Sequence, residues 1–149
     1  MKIALSEAKK AYNKDEVPIG AVIVKDGKVI AKAHNEIEKT QLSTRHAEII
    51  AIEKASKKLK SWRLDGAEMF VTLEPCPMCA GAIVNARIKK VYFGAYETKS
   101  GSATSKFNIL TDSGLNHKTE FTGGVMEEEC KTLLKEYFKE KRKGEKYKK

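Results

Sequence analysis

The stretch Leu73-Glu74-Pro75-Cys76-Pro77-Met78-Cys79-Ala80 constrains this chain most, because it places two cysteines three residues apart where an apolar run gives way to a helix start. Pro77 suits the first helical position, which has no hydrogen bond to lose. Side chains three apart share one face of the first turn, and the positive end of the helix dipole favours thiolate over thiol. Such a pair is a metal clamp that needs further ligands.

His46-Ala47-Glu48, at a second predicted helix start, offers His46 as the best third ligand. A structural zinc site is closed by four protein ligands, whereas a catalytic one keeps three and leaves the fourth position to water. His46, Cys76 and Cys79 make three. With two thiolates neutralising the zinc charge, the water's proton needs an acceptor, and Glu48 can take it. Residues two apart lie on opposite sides of a helix, so His46 and Glu48 converge only where the chain enters the helix from a loop. Ser43 and Thr44, good capping residue types, are expected to set that start.

A chain of 149 residues fits one domain that buries its core without disulfide staples. The expected domain is 1–149, with a basic C-terminal helix and tail at about 126–149. Three cysteines, two of them in the clamp, leave Cys130 unpaired, which argues against a secreted disulfide framework and for the cytoplasm. The opening residues carry too short an apolar run for a signal peptide, and no membrane span is expected. Net charge is +9. From Lys131 to Lys149 there are nine basic and three acidic residues, so two thirds of the excess lies in the last nineteen positions. That bias suits a phosphate backbone, and suits a solvated tail about as well.

Ala4, Ala8 and Ala11 between charged residues predict a first helix over about 2–14. Asp26-Gly27 between apolar runs predicts a hairpin of strands 21–24 and 28–33. A polar loop over 36–43 leads to the histidine helix, which runs to about residue 58. Strands are expected at 69–73, 91–94 and 119–122, with the strand, helix and strand around the cysteines forming a parallel pair through a right-handed crossover. Residues 95–117 read as a long loop held by Phe107-Asn108-Ile109-Leu110, and loops of that length are often functional. The last helix opens at Glu127 and carries a stripe of Met126, Cys130, Leu133, Leu134, Tyr137 and Phe138. Fold class is therefore α/β with a five-stranded mixed sheet.

His-x-Glu followed by Pro-Cys-x-x-Cys is the signature of zinc-dependent nucleobase deaminases. The chain resembles the cytidine-deaminase-like superfamily and, within it, the bacterial tRNA-specific adenosine deaminases. The resemblance is carried by Glu16-Val17-Pro18-Ile19-Gly20-Ala21-Val22, His46-Ala47-Glu48-Ile49, Val71 through Ile83, Val91-Tyr92-Phe93-Gly94-Ala95 and Gly114-Leu115-Asn116-His117. It implies a three-layer α/β/α fold, a homodimer, zinc on His46, Cys76 and Cys79, and Glu48 as proton shuttle. It further implies a base contact from Asn35, backbone amides near Ala47 and Cys79 lining the water and base site, a sugar contact at the position of Glu97, contacts from Phe138 and Arg142 to nucleotides beside the target, and a tRNA anticodon stem-loop as partner. Two departures stand out. The family's Asp-Pro-Thr-Ala before the zinc histidine is Leu42-Ser43-Thr44-Arg45 here, and its aspartate after the fourth strand is Glu97, one methylene longer.

Arg45, Lys139, Lys141, Arg142 and Lys143 are phosphate contacts or solvated charges on sequence grounds. His34 and His117 are expected to be structural, since either would close the open metal position. Three functions remain in play: adenosine-to-inosine deamination at the tRNA wobble position, deamination of a free base such as guanine or cytosine, and a non-catalytic zinc module that binds nucleic acid.

Overall fold

The apolar runs become five strands, β1 (Gly20–Lys25), β2 (Lys28–His34), β3 (Glu68–Leu73), β4 (Lys90–Ala95) and β5 (Glu120–Thr122). Among the described residues five helices join them: α1 (Lys2–Asn13), α2 (Ile37–Thr40), α3 (Ala47–Leu59), α4 (Pro77–Asn85) and α5 (Glu127–Tyr147). This computed structural model describes residues 1–112 and 114–147, with side chains through residue 144; Lys148 and Lys149, the end of the basic tail, lie outside the described residues.

The strands pair in the order β2-β1-β3-β4-β5. β1 runs antiparallel to both of its neighbours, and β3, β4 and β5 run parallel. The carboxyl ends of β2, β3 and β4 therefore share one edge of the sheet, where open α/β sheets place their sites. Those three ends deliver Asn35, Glu74 to Cys79, and Glu97. α3 covers β1 and β2 and meets α4 on one face, while α1 and α5 pack side by side over β1 to β4 on the other. The architecture is three-layer α/β/α, as the resemblance implies.

Small residues set how closely the layers approach. Ala4, Ala8 and Ala11 form a buried stripe on α1, and Gly20 of β1 lies so near it that a Cβ there would collide with the Ala4 carbonyl and stand 2.6 Å from the Ala8 nitrogen. On β4, Gly94 makes the same allowance for Cys130 of α5, and a Cβ would also stand 2.8 Å from the Thr72 carbonyl. Cys130 is buried, as packing of the last helix requires, and burial pushes its thiol up to about 11. The Asp26-Gly27 hairpin forms with both residues at positive φ, 51° and 75°, the geometry of the expected tight turn.

Three local expectations need correction. Ser43 and Thr44 do not cap α3: His46 is its N-cap, with φ −72° and ψ 152°, and no side chain closes that turn. The polar loop over 36–43 contains α2, whose first amides donate to the buried Glu16 carboxylate from Glu38 at 2.9 Å and Lys39 at 2.8 Å. Within the 95–117 loop, Leu110 is fully buried and Ile109 packs half-buried against the same core, while Phe107 and Asn108 are exposed, so the anchor is the Ile109-Leu110 pair rather than the whole run. His34 bonds Glu7 and His117 bonds the Ile88 carbonyl, both structural roles.

Gly20→Ala should force α1 from the sheet. Overpacking of this kind costs on the order of 1–3 kcal/mol, so the thermal midpoint should fall by roughly 3 °C or more, read by calorimetry.

Candidate active site

Two helix N-termini face each other at the carboxyl edge of the sheet. His46 precedes α3 and Cys76 precedes α4, and both residues have extended backbone, −72°/152° and −76°/173°. A residue in that conformation is free of helical spacing, so its side chain can turn toward partners that helix geometry would deny it. Thus His46 at the N-cap and Glu48 at the second helical position reach the same place. Pro77 opens α4 and Cys79 sits on its first turn.

His46 Nδ1 lies 3.7 Å from Cys76 Sγ and 3.5 Å from Cys79 Sγ, and the three ligand atoms lie within 4.8 Å of one another. Tetrahedral zinc with bonds of about 2.3 Å to sulfur and 2.05 Å to nitrogen separates such atoms by roughly 3.6–3.8 Å. The donor set therefore fits zinc. Hydrogen bonding from Cys79, with His46 also beside it, holds the Cys76 thiol down at about 4 against the effect of burial. The same bond and its own burial push the Cys79 thiol well above the usual range. Two sulfurs and an imidazole nitrogen this close together form a group that a divalent cation would hold by displacing the thiol protons. Among the described residues this donor group has three members and no fourth protein ligand.

Glu48 is 4 % exposed, and its Oε1 is buried without a hydrogen-bond partner. Burial pushes its carboxyl up to about 7. An orphaned buried oxygen is costly, and here it lies beside the three metal donors, where a proton-bearing substrate or water would satisfy it.

Asn35, 3 % exposed, follows β2, and its Oδ1 accepts the Ala47 amide at 2.8 Å. The Ala47 N–H donates inside the protein, which fixes the Asn35 amide plane and leaves Nδ2 as the end free to donate. Glu97, Phe138 and Arg142 line one groove of about 650 Å³ beside the carboxyl edge, with Leu73 and Ala95 in its floor. Lys131, Lys135 and Lys139 line it too; the first two escaped sequence reading, although their four-residue spacing along α5 was visible. Phe138 is 43 % exposed, its ring set edge-on to Tyr137 at 5.5 Å. Two candidate phosphate contacts are spoken for: Arg45 pairs with Glu53, and Lys141 pairs with Asp15 at 2.6 Å.

Residues 1–142 match the MafB19-like deaminase family. The chain is 52 % identical over 146 residues to a tRNA-specific adenosine deaminase of Bacillus subtilis, covering 98 % of this chain and 91 % of that one. The chain belongs to the tRNA-specific adenosine deaminase family. A solved structure from a study of A-to-I editing by tRNA:A34 deaminases at the wobble position superposes with a TM-score of 0.87 at 43 % identity, covering 90 % of this chain and 97 % of that one. A guanine deaminase of Bacillus subtilis also resembles it, with a TM-score of 0.62 at 41 % identity over 72 % of this chain and 68 % of that one. The tertiary fold is thus shared with an enzyme named for guanine, and the family membership of the whole chain falls with the tRNA enzymes.

Purified protein should carry one zinc per chain by elemental analysis, and Cys79→Ser should reduce this to roughly a tenth or less, since removal of one of three donors breaks the site.

Proposed function

We propose that this chain catalyses hydrolytic deamination of adenosine to inosine at the wobble position of a tRNA anticodon loop, with zinc held by His46, Cys76 and Cys79. The observation that carries this is the Glu48 carboxyl, buried, unpartnered at Oε1 and poised near 7 beside three metal donors. When bound, zinc supplies a Lewis acid that makes a water acidic enough to attack near neutral pH. Glu48 accepts the water's proton and delivers it to the purine ring nitrogen N1. After oxygen has bonded to C6, the same carboxyl takes the remaining hydroxyl proton and carries it to the exocyclic nitrogen; the C6–N bond breaks, the C6 carbonyl forms and ammonia leaves. A group with a pKa near 7 can both take and release a proton in one cycle.

Asn35, with Oδ1 held by Ala47, directs its Nδ2 toward an acceptor on the purine. Glu97, Phe138 and Arg142 attend the flanking nucleotides in the groove. An anticodon loop suits such a site because its bases can be splayed out and stacked without melting a duplex. Four cations along the groove favour a polyanion over a free guanine or cytosine, which would gain nothing from them. A non-catalytic zinc module would be expected to close its metal with a fourth protein ligand, and it gives no reason to bury Glu48.

The same proposal includes a homodimer in the cytoplasm. Three free thiols suit a reducing compartment. The outer side of α4 presents Met78, 37 % exposed, and Gly81, beside which a Cβ would meet open space. No described helix is long and apolar enough to cross a membrane. Sedimentation should give twice the chain mass, and a monomer at micromolar concentration would remove this part of the proposal.

Glu48→Gln should retain zinc and anticodon stem-loop affinity while turnover falls by about 10²–10⁴-fold, the range for loss of a general acid-base group. Inosine formation at the normal rate by that variant would remove Glu48 from the chemistry.

A further inference from the structure

The groove and the metal site are joined by a residue that neither uses directly. Glu74 follows β3 and precedes Pro75-Cys76; it is 2 % exposed. Its Oε1 accepts the Glu97 amide at 3.1 Å and the Ser105 hydroxyl. Its Oε2 accepts the amides of Ala103 at 3.1 Å, Thr104 at 2.9 Å and Ser105 at 3.0 Å. Burial alone would raise this carboxyl, yet the hydrogen bonds from Ser105, Thr104 and Glu97 outweigh it and hold the group below its ordinary value. Among the described residues no lysine or arginine is paired with it. The negative charge is met by main-chain dipoles and one hydroxyl.

The loop is wound around that carboxylate. Gly101 donates to the Glu97 carbonyl and Ser102 donates to the Pro75 carbonyl, both at 2.8 Å. A Cβ on Gly101 would collide with Glu74 Oε1 and with the Glu97 carbonyl, so a glycine is required where the turn closes. Gly101, Ser102 and Ala103 are buried but offer little apolar surface to hold the segment in place. Polar anchoring has to substitute for it.

We propose that Glu74 is a positioning residue for the RNA substrate: it ties the loop of residues 97–105 to the chain entering the cysteine helix, and so fixes where Glu97 stands in the groove. The proposal depends on assignment of that groove to the anticodon loop. Glu97 is the one loop residue that both bonds Glu74 and lines the groove. The two carboxylate oxygens are not equivalent in this respect. Glu74→Gln keeps the shape but turns one end into a donor. The amide oxygen belongs where three N–H groups converge, at Oε2, which sets the new NH2 against the Glu97 N–H. Loss of anchoring therefore falls on Glu97.

The test is a double-mutant cycle with Glu74→Gln and Glu97→Ala, measuring kcat and KM on an anticodon stem-loop RNA together with zinc content. Glu74→Gln should raise KM about tenfold with kcat within about twofold and one zinc per chain retained, and should add less than about twofold in the Glu97→Ala background. If the two effects multiply, or kcat falls with KM unchanged, or zinc is lost, Glu74 serves the general fold or the metal helix and the proposal is overturned. Should Glu74→Gln fail to fold, Ser105→Ala removes only the hydroxyl donor to Oε1; its KM should rise about threefold, and only while Glu97 is present. An unchanged KM for Glu97→Ala alone would remove the groove from RNA recognition and overturn the proposal by that separate route.

Discussion

Two helices aim their N-termini at one spot, and the remainder of the structure serves that convergence. The exposed amides and dipoles at such termini favour negative charge, and the residues placed there answer it: the sulfurs of Cys76 and Cys79 at α4 and the Glu48 carboxyl at α3. A cation bound between two positive dipole ends would be tolerable because two thiolates would surround it. The charges would then stabilise one another, and deleting any single one would leave the others uncompensated in a buried setting.

Sheet topology makes the convergence possible. Because β1 runs against both β2 and β3, the ends of β2 and β3 emerge on the same edge although they are not neighbours. β4, parallel to β3, brings the Glu97 loop to that edge as well. Three chain segments distant in sequence therefore meet without any long excursion. Glycines at 20 and 94 let α1 and α5 close on the opposite face, and α5 carries its lysines, Phe138 and Arg142 alongside the edge.

Buried carboxylates do the local ordering. Glu48 keeps one oxygen unsatisfied beside the donor group, Glu74 organises the loop that walls the groove, and Glu16 receives the first amides of α2. Each is almost wholly removed from water, and each is used differently: one left short of partners, two supplied from main chain. Contrast between Glu48, raised to about 7, and Glu74, lowered, follows from that supply of donors.

Sequence alone singled out His46, Cys76 and Cys79 as a candidate donor group with Glu48 beside them, and it determined the mixed five-stranded sheet and the bounds of most elements. Those features depend on local spacing: two cysteines on one turn, a proline at a helix start, an Asp-Gly between apolar runs. Tertiary structure decided what local spacing cannot encode. That Asn35 spends its oxygen on the Ala47 amide, that His46 itself occupies the cap expected of Ser43 or Thr44, and that Lys141 is tied to Asp15 while Lys131 and Lys135 face the groove all depend on segments far apart in the chain. Glu74 is the clearest case. In sequence it is the flank of a cysteine motif, and its partners lie twenty-three to thirty-one residues away in a loop of glycine, serine and threonine with no periodicity to announce them. Only folding, which buries the carboxylate where those amides have no water to bond, gives them a common acceptor.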